Sequence, residues 1–266
     1  MENTSKKESK DDVLKKTSDL PGLMGYFESA LRRFRTLMFV LTLSPLFFVC
    51  TLVLGISLTP ALMFFYYMVH FSESWSVFLK IPFLAWSLSF GYLIYGITLI
   101  FVVPLFNFLM PFRVKPWRGI WFSVQSIPWY VHNALTYLVR YTFLEFITPT
   151  PLNILFFKMM GMKIGKGVVI NTTNISDPCL IEIGDYVTIG GSATLFAHYG
   201  QKGYLVISKT KIGSGSTIGL KASVMGGVHI GEKALVLPHA VLLPRARVYD
   251  GETVSGVVSL RRHVVK

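Results

Sequence analysis

From Ile212 onward an aliphatic residue returns at every sixth position, through Ile218, Val224, Ile230, Val236, Leu242, Val248 and Val254. An amphipathic helix repeats its apolar face every 3.6 residues and a half-buried strand every 2, so a stride of six requires a repeat architecture. Two further positions keep the beat. Glycine follows at Gly213, Gly219 and Gly231, and a small residue sits four places on at Ser216, Ala222, Val228, Ala234, Ala240 and Ala246. Each hexad reads as one short flat side and one corner. Three sides predict a triangular coil of about eighteen residues with the aliphatic side chains stacked along its axis.

The same beat starts earlier, at Ile164-Gly165 and Ile170, and slips by one residue near Asp177-Pro178. It resumes at Ile183-Gly184, Ile189-Gly190 and Leu195. A second break spans roughly Phe196 to Lys211. The distance from Leu195 to Ile212 is no multiple of six, so this segment is expected to leave the coil as a loop. Loops on a rigid scaffold are where chemistry is commonly placed.

Upstream the pattern is different in kind. No charged residue occurs from Thr36 to Ser72 or from Ile81 to Phe112, and about 20 apolar residues suffice to cross a hydrocarbon core. A helical transmembrane hairpin is predicted over 22–112. A lead-in helix occupies Gly22–Arg35, and the spans lie near Leu37–Ile56 and Pro82–Pro104. Leu58–Phe71 reads as a continuation or an interfacial segment, because Gly55 and Pro60 mark a weak point. Tyr66, Tyr67, Trp75 and Trp86 then fall at the outer interface. Over 113–160 Arg140, Glu145 and Lys158 interrupt every window of spanning length, so aromatic helices lying in the membrane plane are expected. Residues 1–21 are polar and of mixed charge, and read as a disordered tail. The coil occupies 161–266.

The net charge of +12 changes the picture only through its placement. Arg32, Arg33 and Arg35 precede the first apolar run, and Arg113, Lys115 and Arg118 follow the second. The positive-inside rule then places both flanks, and the coil, on the cytoplasmic side of the inner or cytoplasmic membrane. The basic residues form no DNA- or RNA-binding module, so no nucleic acid partner is expected. Cys50 and Cys179 fall on opposite sides of the domain boundary and make neither a disulfide framework nor a zinc spacing. The apolar run begins too late for a cleavable signal peptide.

The segment ISDPCLIEIGDYVTIGGSATLFAHYGQKGYLVISKTKIGSGSTIGLKASVMGGVHIG, with its IGD corner, loop histidine and repeated IG, resembles the left-handed parallel β-helix acyltransferases, the hexapeptide transferase family, over 161–256. TPTPLNILFFKMMGMKIGKG, leading from apolar spans into the coil, is similar to the membrane-bound carboxy-terminal region of ε-poly-lysine synthetase-type peptide synthetases. The resemblance implies an all-β left-handed coil that assembles as a homotrimer. It also implies acyl-CoA as co-substrate, no metal, and a histidine base at the groove between subunits.

By that resemblance the base is His198. An imidazole suits general-base work near neutral pH, and acyl transfer also needs donors for an oxyanion, such as backbone N–H groups near Gly190-Gly191 or Gly226-Gly227. Relatives place a carboxylate soon after the histidine to orient its ring; here Tyr199, Gly200 and Gln201 follow. Gln201 could orient the ring by hydrogen bonding, or Asp177, Glu182 or Asp185 could do so from a neighbouring coil. Donor contacts are expected at Gly226, Gly227, Lys221, Arg245 and Gly256, with Lys209, Lys211 and Arg247 as further cations for CoA phosphates. The family's glycine-x-proline-alanine-lysine tail is replaced by VSGVVSLRR, of which Gly256 matches. His229 and His239 sit inside regular hexads and read as outward-facing; His70 and His132 belong to membrane-side segments and receive no role.

The expected function is a membrane-anchored acyltransferase moving an acyl group from acyl-CoA to a hydroxyl or amine of an amphipathic or membrane-proximal acceptor, with the lipid bilayer as a partner. A non-catalytic trimeric scaffold of a membrane complex is the alternative. A zinc hydratase sharing the coil would need three converging imidazoles.

Overall fold

The computed structural model describes Val13, residues 15–111 and residues 113–260; residues 1–12 of the expected tail and 261–266 of the expected coil lie outside it. Among the described residues five α-helices, here α1 to α5, lead into a parallel coil. The described part of the tail is not free. Ser18 donates from its backbone N–H to Ser29 Oγ at 2.9 Å, and from its hydroxyl to Glu28 at 3.2 Å.

Helix α1 (Gly22–Arg33) is the expected lead-in. Its Glu28 is buried and accepts from Ser123 Oγ at 3.0 Å, Val124 N at 3.3 Å and Arg32 at 2.6 Å. A buried carboxylate needs such donors, and they fasten α1 to the turn before the helices of the coil's cap.

Helices α2 (Arg35–Phe71) and α3 (Val77–Leu109) are joined by a short turn and pack on one another, with Phe64 and Phe90 ring centroids 5.5 Å apart. Both are long and apolar enough to cross a membrane. At 1.5 Å per residue they reach about 55 and 50 Å, more than the ~30 Å of a hydrocarbon core. The expected weak point at Gly55–Pro60 is absent: α2 runs straight through Pro45 and Pro60. A local hydroxyl helps to replace what proline removes. Ser44 Oγ donates to Leu41 O at 3.1 Å, the carbonyl that Pro45 leaves without its N–H.

The 113–160 segment departs from an all-helical reading. Trp117–Ile120 is a strand, followed by a short 3-10 turn, α4 (Ile127–Val139), a π-helical turn (Arg140–Leu144) and α5 (Pro151–Met159). Leu135, Val139, Leu144, Phe156 and Phe157 are fully buried in one core with the coil. These helices cap its first turn rather than lying free on a surface. Two of the residues that interrupt spanning windows point at that turn: Arg140 donates to Asn174 Oδ1, and Glu145 accepts from Thr173 Oγ1 at 2.5 Å. Helix α3 docks flush on the cap, because Gly96 leaves room for the Phe143 ring, which a Cβ there would meet at 2.1 Å.

The coil has three parallel faces. The first is Lys163–Ile164, Ile181–Ile183, Thr210–Ile212, His229–Ile230 and Arg247–Val248. The second is Val169–Ile170, Thr188–Ile189, Thr217–Ile218, Leu235–Val236 and Thr253–Val254. The third is Thr194–Leu195, Ser223–Val224, Val241–Leu242 and Val257–Val258. Thr217 pairs with Leu235, Ser223 with Val241 and His229 with Arg247, each 18 positions on. From Ile212 to Val254 every aliphatic residue of the hexad series is buried to 4% exposure or less, each contributing roughly 1.5–3 kcal/mol of burial.

Both breaks in the beat are real and differ in form. Across the first, Lys163 pairs with Glu182, 19 positions on, so one residue is inserted. Across the second, Thr188 pairs with Thr217, 29 positions on, so eleven are inserted. The insertion is a β-hairpin rather than an irregular loop: His198–Gln201 runs antiparallel to Tyr204–Ile207. Lys202 and Gly203, both at positive φ, form the tight turn. Trp117–Ile120 adds a third antiparallel strand along Tyr204–Ile207.

Candidate active site

Each break supplies one half of a pair. At the first, Asp177 takes a left-handed backbone conformation, φ 59°, which turns its carboxylate inward, where it is completely buried. At the second, His198 is the first residue of the hairpin and the chain leaves the coil at the corner between the third and first faces. His198 Nδ1 lies 2.5 Å from Asp177 Oδ2. The same oxygen accepts from Ala197 N at 3.2 Å, and Oδ1 accepts from Asn133 Nδ2 at 2.7 Å. Burial alone would raise the Asp177 carboxyl; the hydrogen bond and charge of His198, then Asn133 and His132, hold it below the ordinary value. A carboxylate on Nδ1 leaves Nε2 as the ring's free acceptor.

The ring is walled by aromatics, with Trp129 edge-on at 4.9 Å and Phe196 at 5.3 Å between centroids, and it remains 17% exposed. From behind, Gly226 admits the hairpin base. A Cβ there would stand 2.8 Å from His198 N and 2.9 Å from Ala197 C.

The other candidates divide by corner. Gly226, Gly227 and Arg245 stack in the His198 column: Arg245 N donates to Gly226 O at 3.1 Å, and Arg245 Cγ lies beside Gly227. Among the described residues the N–H groups of Gly226 and Gly227 donate to no backbone carbonyl. Lys221 and Gly256 belong to the corner between the second and third faces, as do Gly190 and Gly191, where Lys221 N donates to Gly191 O at 2.9 Å. They sit across the third face from the histidine.

Gln201 does not orient the ring; it is exposed beside the hairpin turn, while Asp177 occupies Nδ1. Glu182 belongs to the first face, bridging Lys163 at 3.0 Å, Lys211 at 3.3 Å and Lys209 at 3.9 Å. Asp185 holds a corner by accepting from Lys166 N at 2.6 Å. An open groove of about 700 Å³ follows the first face past Lys163, Lys211, His229 and Arg247. His229 faces outward there, and His239 sits at a left-handed corner, so neither approaches His198. Among the described residues no three His, Cys, Asp or Glu side chains gather as a metal site.

Sequence reasoning missed the contribution of α4. Trp129, His132 and Asn133 lie at positions i, i+3 and i+4 of one helix and surround the pair. His132 is buried, bonded through Nδ1 to Asn107 Oδ1 of α3 at 2.9 Å, and burial pushes it down to about 4 against the opposing charge of Asp177. Nothing in the local pattern ties position 133 to position 177.

No family model matches the chain. Over 174 residues, 63% of its length, it is 22% identical to the delta-poly-L-ornithine synthetase of Acinetobacter baumannii (strain AB307-0294), of which the match covers 12%. Among solved structures it is similar to a serine acetyltransferase in complex with cysteine, at 18% identity over 66% of this chain and 57% of that one, TM-score 0.37. A maltose O-acetyltransferase from Clostridium difficile 630 matches at 16% identity over 51% of this chain and 89% of that one, TM-score 0.35. A hexapeptide-repeat acetyltransferase from Vibrio cholerae matches at 14% over 52% and 93%, TM-score 0.37. The chain thus spans a small part of its curated relative, and its structural neighbours are hexapeptide-repeat acetyltransferases.

Proposed function

We propose that the chain is a membrane-associated acyltransferase that moves an acyl group from acyl-CoA to a hydroxyl or amine of an amphipathic or membrane-proximal acceptor. The observation that carries this reading is the buried Asp177 set against Nδ1 of His198 at the base of a hairpin on a rigid coil. His198 Nε2 takes the proton as the acceptor oxygen or nitrogen attacks the thioester carbonyl. The tetrahedral oxyanion then collapses, the C–S bond breaks, and the thiolate leaves with the proton held on His198. Asp177 fixes the tautomer and balances the transient imidazolium. The N–H groups of Gly226 and Gly227, in the same column, which donate to no backbone carbonyl among the described residues, are the donors nearest in register for the oxyanion. Arg245 in that column and Lys221 at the next corner are the cations for the donor's phosphates, with Gly256 shaping the groove.

Membrane association rests on α2 and α3, whose apolar side chains are largely exposed. They hold the cap, and with it His198, beside the bilayer, which favours an acceptor with an apolar body. Assembly as a trimer would bring a second coil against the His198 corner.

The test uses radiolabelled acetyl-CoA and the full chain in native membranes. Label should enter a lipid or peptide fraction with the parent and fall at least 10²-fold with His198→Ala. Undiminished incorporation by that variant overturns the reading.

A further inference from the structure

Both hydrogens of the Asn133 side-chain amide are in use. One goes to Trp129 O at 3.0 Å, within the same helix, and the other to Asp177 Oδ1 at 2.7 Å, across to the coil. Asn133 is 5% exposed, so its amide cannot turn to water, and two acceptors on Nδ2 fix which end faces the carboxylate. Its Oδ1 has no partner, so the buried amide leaves an acceptor unmet while keeping the bond to Asp177. The same helix also sets the Trp129 ring edge-on against the His198 ring.

We infer that Asn133 is a positioning residue for the Asp177–His198 pair, holding Oδ1 so that Oδ2 faces Nδ1 of the imidazole. The geometry has a mechanical logic. Asp177 and His198 come from two breaks in a repeat, places where the coil's regular backbone ladder does not fix direction. Helix α4 supplies what the coil lacks there: a donor for one carboxylate oxygen and a wall for the ring. His132 of the same helix faces Asp177 in neutral form, and Ala197 N is the remaining donor to the carboxylate. The consequence for rate rests on His198 being the base; the placement of the pair does not.

Without the amide, Oδ1 of Asp177 loses its donor from α4, and the carboxylate is free to rotate so that Oδ2 is no longer held on Nδ1. The experiment follows ¹⁵N-histidine-labelled full chain in micelles, comparing the parent with Asn133→Leu and Asn133→Asp and using His198→Ala to assign the signal. In Asn133→Leu the Nδ1-bound proton signal of His198 should broaden beyond detection. In Asn133→Asp two carboxyls face each other, so the signal should survive only at acid pH, where they share a proton. Acetyl-CoA-dependent labelling should fall on the order of ten- to a hundredfold in Asn133→Leu, as expected for a misplaced base. A parent-like Nδ1-bound proton signal in folded Asn133→Leu would sink the inference, even while His198→Ala remains inactive. Full activity of His198→Ala would instead remove the base assignment and leave the positioning result standing.

Discussion

Two buried titratable groups face each other at this site with opposite needs. Asp177 is held ionised by its donors, whereas His132 is held neutral by burial. Their effects on stability separate by pH. His132 has a folded value of about 4 against an ordinary 6.5, so between those values the unfolded chain binds the extra proton and stability falls as pH falls. Asp177, depressed below its ordinary value of 3.8, contributes stability that is lost only at more acid pH. The window from pH 7 to 5 therefore belongs to His132, and about 2 kcal/mol should be lost across it. Urea unfolding in micelles at the two pH values should show this loss, and His132→Gln should flatten it. An equal slope in that variant would assign the effect elsewhere.

Among the elements, the hairpin is the one whose seat is narrowest. Its base lies on Gly226 with no room for a side chain, since a Cβ there would press on backbone that cannot step aside. Gly226→Val should cost about 1–3 kcal/mol and shift His198 away from Asp177. The coil should survive, because stacked repeats depend mainly on their nearest neighbours. The expected result is a parent-like β signal in circular dichroism with the His198 Nδ1-bound proton resonance lost. Retention of that resonance would show that the corner can give. Trp117–Ile120, paired along the outer strand, and α4, behind its base, hold the hairpin from the other sides.

On the scale of the whole molecule, hairpin helices, cap and coil are joined by shared burial: Val53, Leu99, Ile100 and Val103 belong to the same core cluster as the coil's aliphatic stack. If α2 and α3 cross a bilayer as proposed, the Ser72–Ser76 turn and the coil lie on opposite sides. Maleimide labelling in intact cells tests this with Ser74→Cys at the exposed turn and Lys209→Cys on the coil. Ser74→Cys should react with an impermeant reagent from outside, and Lys209→Cys only after lysis. Cys179 gives little background, since burial pushes its thiol up to about 12. Protection of Ser74→Cys in intact cells would reverse the proposed topology.

The sequence by itself determined the coil. Its six-residue beat is a local code in which each aliphatic position has one inward direction, and Ile212 through Val254 occupy the axis as the spacing requires. It also marked both breaks, with the inserted residue near Asp177 and the excursion holding His198, because a broken period is visible without knowing what fills the gap. That the two apolar runs are helices was legible too, since composition decides it, but not the continuity of the first through Gly55 and Pro60. What filled the gaps was settled only in three dimensions. The excursion is a hairpin, and a strand 84 to 90 positions earlier, Trp117–Ile120, pairs along it. Asp177 rather than Gln201 meets the imidazole because a left-handed turn aims it inward from the preceding coil. Asn133 reaches that carboxylate because the cap packs α4 against the coil. These are contacts between residues far apart in sequence and without a shared period, so only tertiary packing could select them.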